Sequence, residues 1–359
     1  MIAATRTRRS TGEDATRVLS PARRTLPILL GLVFLAGALL VGLAVGPVHL
    51  GLGAIVVSAA SNIPFLGIHS HLSATDNAVL WQLRAPRVAL GALVGGMLAL
   101  AGASYQGVFR NPLADPYLLG IGAGAGLGAT LAIAYGNGAV ESYDLIPLAA
   151  FVGAALAVAA AYLLGRSAGS TPATLILAGV TIAAFFTAVQ TFVQQQHTAS
   201  LEEVYSWILG SLDTAGWHDV ALVTPYIVVS AIVIVLFRRS LDVLSVGDEE
   251  AASLGLDVAR TRLVIVVFAT IGTAAAVAFS GLIGFVGIIV PHAIRLVLGP
   301  SYRLIVPLSL LVGGGFLVLA DVVARTIVAP AELPIGVVTA FFGAPFFAVI
   351  LRTSRGFRS

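Results

Sequence analysis

Apolar residues run along this chain in long unbroken blocks separated by short polar clusters. A helix needs about 20 apolar residues to cross the hydrocarbon core of a bilayer, whereas a half-buried strand would alternate every second residue. Blocks of the first kind lie near 26–46, 88–109, 117–135, 144–165, 172–195, 219–237, 261–280, 281–298, 304–327 and 334–351, which predicts an all-α integral membrane protein of about ten transmembrane helices. Leu26 to Gly46 carries no charge and is the clearest of them. The 281–298 block contains Pro291 and His292, so a broken or re-entrant segment is expected there. Such a break is tolerated only where protein or a wet cavity satisfies the freed backbone.

Two stretches between the blocks have a different pattern. Residues 200–216, SLEEVYSWILGSLDTAG, read as a short helix with Glu202 and Glu203 in its first turn, where the helix dipole favours them. Residues 240–260, SLDVLSVGDEEAASLGLDVAR, are acidic at Asp248, Glu249, Glu250 and Asp257, with small or apolar residues at helical spacing. Two short helices broken at Gly255 fit this segment, and a loop of such length in so compact a chain is more often functional than filler.

Composition agrees with the pattern: 58% of the residues are hydrophobic and 10% charged, against about 25% charged in a soluble domain. The sign of the charge then sets orientation. Ten spans place both termini on one side. With the N-terminus inside, all but three of the 20 basic residues, every one of them arginine, face the cytosol. That is the positive-inside bias, and it makes residues 1–24 a disordered basic cytosolic tail, 25–352 the membrane domain and 353–359 a cytosolic tail. The exceptions are Arg84, Arg87 and Arg325, at outer span ends. Either they pair locally, as Arg325 would with Asp321 one turn before it, or they offer a basic patch to an acidic partner.

Candidate chemistry is sparse. Without cysteine there are no disulfides or thiolate sites, and without lysine there is no phosphate-binding Walker loop, so ATP-driven work would have to come from a partner chain. The scattered arginines do not form a nucleic-acid surface. His69 and His71 read as surface histidines, and no set of residues suggests a metal site or a catalytic pair. Asp321 is the one carboxylate well inside a span, which weighs against an ion-coupled secondary transporter, the alternative reading. Glycines four apart (Gly91 and Gly95; Gly120, Gly124 and Gly128) and the run Gly313–Gly315 read as close helix-packing faces.

The assembled motifs resemble one family over residues 25–352: the FecCD-type permeases of type II ABC importers for iron chelates, haem and cobalamin. The matching stretches are RAPRVALGALVGGMLALAGASYQGVFRNPLADPYLLGIGAGAGLGA, TLILAGVTIAAFF, WILGSL, GDEEAASLGLDV, SGLIGFVGIIVPHAIRLVLG, LADVVAR and AELPIGVVTAFFGAPFF, in that order. The resemblance implies a non-catalytic subunit of a bacterial cell membrane, with ten helices, acting as a homodimer. Two cytosolic ATPases, which hold the ATP and magnesium, would bind below it. An extracytoplasmic binding protein would dock above. It further implies that Arg84, Arg87 and Arg325 meet acids of the binding protein, and that Asp248, Glu249, Glu250, Ala251, Ala252, Leu254, Gly255 and Leu256 couple to the ATPase. Asn111, Pro112 and Leu113 would lie near a cytosolic gate with Thr171, Pro172 and Ala173. A ferric siderophore is the first cargo expected, with cobalamin and haem next.

Overall fold

The computed structural model describes residues 21–46, 48, 50–61, 69–70, 72–136, 145–169 and 171–354. Most of the basic tail, His71, Glu141, Asp144 and the last residues 355–359 lie outside the described residues. Each of the ten apolar blocks falls on a helix: α1 (Pro21–Ala44), α4 (Ala85–Val108), α5 (Ile121–Tyr135), α6 (Leu145–Ser167), α7 (Pro172–Gln196), α9 (Trp217–Leu236), α12 (Val258–Ser280), α13 (Val286–Leu298), α14 (Tyr302–Thr326) and α15 (Ile335–Ser354). Shorter helices join them: α2 (Leu52–Ser61), α3 (Ala74–Ala78), α8 (Leu201–Leu209), α10 (Arg238–Leu244) and α11 (Asp248–Ser253). Among the described residues, 7 helices are long and apolar enough to cross a membrane. The remaining three blocks form α5, α13 and the apolar part of α15, which are shorter.

Helix α4 is longer than its apolar block. Ser73 caps α3 by accepting the Asp76 N–H at 3.0 Å, and α3 runs through a π-helical turn (Val79–Arg84) into α4, making one 35-residue helix from Ala74 to Val108. The wide turn lies just before Pro86, whose missing N–H removes one helical hydrogen bond. Arg84 and Arg87 therefore sit inside a helix rather than in the loop before it. Helix α2 was not visible as a span because its 10 residues are too few to cross. It lies beside the start of this long helix, where the Trp81 indole donates to Ser58 Oγ at 3.0 Å.

Between α12 and α13 the chain is non-helical from Gly281 to Phe285, and the backbone turns left-handed at Gly281 (φ 65°) and Phe285 (φ 68°). The freed polar groups find protein partners, as a break inside a bilayer requires. The Tyr117 hydroxyl, from a 3-10 turn (Pro116–Leu119), bonds both the N–H and the carbonyl of Ile283 at 3.2 Å. The Ser211 N–H donates to the Ser280 carbonyl at 3.0 Å. Further on, Pro291 leaves the Gly287 carbonyl without its helical donor, and Gln106 Nε2 donates to it at 3.2 Å. The expected break is thus at the start of α13, not at its proline.

Apolar burial gives little net drive between helices surrounded by lipid, so close backbone approach carries the packing. Helix α4, buried on every residue from Val94 to Val108, meets α14 where Gly95 and Gly313 each lie against the other's carbonyl. Helices α5 and α6 cross in the same way, with Gly124 on the Gly153 carbonyl and Gly128 on that of Ala149. At Gly128 a side chain would have to displace backbone, whereas Gly37 of α1 faces open space. Gly128→Leu is expected to destabilise the protein by about 1–3 kcal/mol or more, and Gly37→Leu to leave it unchanged, in thermal unfolding of the detergent-solubilised protein.

Candidate functional site

Three groups of residues stand apart from this packing, one at each end of α4 and one between. At the first end the three exceptional arginines are all engaged. Arg84, 4% exposed, donates to the carbonyls of Leu43 at 3.0 Å and Ala44 at 3.1 Å and to that of Val48. These close the C-terminus of α1, where unpaired carbonyls and the helix dipole both favour a cation. Gly46 leaves the room: a Cβ there would lie 2.6 Å from the guanidinium. Arg325, also 4% exposed, donates to Gly42 of the same turn and lies 3.6 Å from Asp321. The local pairing of Arg325 with Asp321 is therefore present.

Arg87 is the hub. Its Nε and Nη2 bond Asp321 Oδ1 at 3.0 and 2.8 Å, and Nη1 and Nη2 bond Glu332 at 3.2 and 2.8 Å. Asp321 is 2% exposed and Glu332 38%, so the network runs from the α4–α14 contact out to the surface. Glu332 belongs to the segment joining α14 and α15, which is held by the Leu333 N–H on the Ala324 carbonyl at 2.9 Å.

Between the ends, α8 and the broken segment 281–285 separate two cavities. One, of about 560 Å³, is lined by Glu202, Glu203, Trp207, Asp213 and Phe279, among others. As expected, Glu202 and Glu203 stand in the first turn of α8. The other, of about 350 Å³, has an uncharged lining that includes Tyr117, Thr187, Gln190, Ile208 and Leu282. Gln190 is buried and donates to Thr130 Oγ1 at 3.1 Å. Next to Tyr117, burial pushes the Asp115 carboxyl up to about 6, opposed by the Tyr117 N–H that it accepts at 2.8 Å.

At the far end, the acidic segment does form two short helices, α10 and α11. They are separated at Gly247 (φ 133°), and Gly255 (φ 84°) follows the second rather than dividing the pair. Ala251 is fully buried, Asp248 and Leu256 are half-buried, and Glu249, Glu250, Ala252 and Gly255 are exposed. Val246 and Leu254 are 58% and 70% exposed apolar residues on this charged segment. Asn111 makes a turn by accepting the Leu113 N–H at 3.0 Å, with Pro112 exposed between them. Thr171 caps α7 ahead of Pro172 and Ala173 by accepting the Thr174 N–H at 3.2 Å. The connection after the Asn111 turn reaches α7 deeper in, where Gly179 lies against the Leu118 carbonyl.

Sequence reasoning passed over Glu332, Tyr117, Gln190, Arg110 and Arg262. Glu332 was legible only as an acid in an outer loop. The other four acquire their roles from contacts distant in sequence.

Comparison with known proteins concerns the chain as a whole. The model of the FecCD transport family matches residues 30–353. The chain is 43% identical to the cobalamin import system permease protein BtuC of Halobacterium salinarum, over 77% of its own length and 74% of the relative's. It is 36% identical to the Fe(3+)-citrate import system permease protein YfmD of Bacillus subtilis, over 86% and 92%. A solved metal-chelate type ABC transporter in an inward-facing conformation superposes with a TM-score of 0.80 at 27% identity, covering 92% of this chain and 99% of that one.

Burial ranks the charges at the first end. Asp321→Asn leaves two buried guanidinium groups short of their shared anion and is expected to cost about 3–5 kcal/mol. Glu332→Gln, at the exposed rim, is expected to cost about 1 kcal/mol or less. Thermal unfolding of the two variants in the same detergent checks the order.

Proposed function

The chain belongs to the FecCD transport family, and from that premise we propose that it is the permease subunit of a binding-protein-dependent ABC importer, carrying a metal chelate into the cytoplasm. Two copies form the pathway about a two-fold axis, and both termini are cytoplasmic. ATP and magnesium are held by two partner ATPases, and this subunit is not itself catalytic. The observation that carries the reading is the exposed pair Val246 and Leu254. Both stand on a charged segment at the arginine-rich end, beyond the apolar spans, where no lipid tail would cover them. Exposed apolar residues so placed are open to contact with a partner protein. With Glu249, Glu250 and Ala252 they form the coupling surface for the ATPase, which Ala251 and Leu256 anchor from beneath.

At the opposite end Glu332, held by Arg87 beneath it, forms the exposed edge at which the binding protein docks, and Arg84 and Arg325 hold that edge to α1. A charge network of this kind contributes specificity and encounter rate more than affinity. The cargo passes the acidic cavity and then the uncharged one, whose lining gives a bulky chelate no ionic trap. The turns at Asn111–Leu113 and Thr171–Ala173 close the inner end. A ferric siderophore is the first cargo to test. Cobalamin and haem follow, and the similarity to a cobalamin permease supports cobalamin.

The test is uptake into proteoliposomes holding the chain with its partner ATPases and binding protein. Uptake that needs ATP, stops with vanadate and ignores ionophores is expected. Gradient-driven uptake by this chain alone would overturn the reading in favour of a secondary transporter. Leu254→Asp is expected to reduce ATPase co-purification about tenfold or more, because it puts a charge in the centre of the contact.

A further inference from the structure

The coupling surface just described transmits force only if it is fastened to the helices that move. Beside the apolar anchors Ala251 and Leu256, ion pairs fasten it. Helix α4 ends in a Schellman turn, with the Arg110 N–H on the Gly107 carbonyl at 3.4 Å and the Asn111 N–H on the Gln106 carbonyl at 3.1 Å. The left-handed corner of that turn favours glycine, which carries no Cβ to clash. Here it holds Arg110 (φ 51°). What glycine would lack is the side chain: Arg110 Nη2 lies 3.4 Å from Asp248 Oδ1, on the first residue of α11. Both oxygens of the same carboxylate accept from Arg262 Nη2 at 3.0 Å, from the first turns of α12. One carboxylate thus joins the coupling helix to the ends of two spans.

A second carboxylate does the same for α14. Asp242 of α10 accepts the Tyr302 N–H at 2.6 Å and the Ser301 hydroxyl at 3.2 Å and pairs with Arg303 at 3.2 Å. Helices α4 and α14 are interlocked at Gly95 and Gly313 and joined through Arg87 and Asp321 at their far ends. Helix α11 is only 6 residues long and buries one residue, Ala251, so side-chain packing holds it weakly.

Resting on the coupling reading above, we propose that the Arg110–Asp248 ion pair is the contact through which movement of the coupling helix is passed into α4, and along α4 to the Arg87 network. Arg110 is a positioning residue in this scheme. Both partners are 38% exposed, so the pair adds little to fold stability. Its consequence is in coupling: the displacement of α11 is delivered to α4 as a rigid body instead of being lost as slip.

The experiment compares the reconstituted complex, with ATPases and binding protein, carrying the wild-type chain, Arg110→Asn or Arg110→Lys. Asparagine tolerates the left-handed backbone and removes the cation, while lysine keeps the cation. For Arg110→Asn the ATPases are expected to co-purify normally and basal ATP hydrolysis to be unchanged. Cargo moved per ATP should fall about tenfold, and the stimulation of hydrolysis by the binding protein should be lost. Arg110→Lys should restore most of both. Wild-type uptake per ATP in Arg110→Asn overturns the proposal, and so does loss of ATPase co-purification, which would make Arg110 an assembly contact. An ATPase that fails to associate even with the wild-type chain overturns the importer reading itself, and the proposal with it.

Discussion

Inside a bilayer no water is available to bond an exposed amide or carbonyl, and most of this architecture answers that restriction. The non-helical segment Gly281–Phe285 persists because Tyr117, Ser211 and Gln106 reach its neighbourhood from three other parts of the chain. The end of α1 is closed by Arg84, whose guanidinium donates to three carbonyls there. Each of these contacts spans a long sequence separation. Two of them also place a polar group beside a cavity, Tyr117 at the uncharged one and Ser211 at the acidic one.

Charge is distributed by the same logic. Of the two cavities between the ends, one is uncharged and the other is lined by Glu202, Glu203 and Asp213, while the guanidinium networks gather at the ends. Helix α4 connects the two networks, with Arg87 at one end and Arg110 at the other. Its glycine contact with α14 makes the pair stiff, because two backbones in contact cannot slide without clashing. A stiff element with a charged fixture at each end is what a transporter driven from one face and loaded from the other requires.

Much of this was legible from the chain alone. The ten apolar blocks, the short acidic helix at Glu202 and Glu203, the pair of short helices in the acidic segment and the packing role of Gly124, Gly128 and Gly313 all follow from periodicity and residue size. What escaped was long-range. Arg84 and Arg87 read as lying at the outer end of the second span, and only the π turn upstream of Pro86 shows that the helix runs on past them. Gly255 looked like the divider of α10 and α11 because glycine breaks helices, yet Gly247 does so and Gly255 merely precedes α12. The sequence left open whether the three arginines pair locally or face a partner. Their local bonds are now explicit, and Arg87, through Glu332, is the one that reaches the surface.

The central claim is that the Glu332 end of this molecule faces away from the cytosol and the Leu254 end faces into it. Because the chain contains no cysteine, the claim can be tested with single cysteines at positions 332 and 254 and a membrane-impermeant maleimide. The account predicts that in intact cells, or spheroplasts if an outer membrane is present, position 332 is labelled at once and position 254 only after permeabilisation. Labelling of position 254 from outside, with position 332 protected, would contradict it.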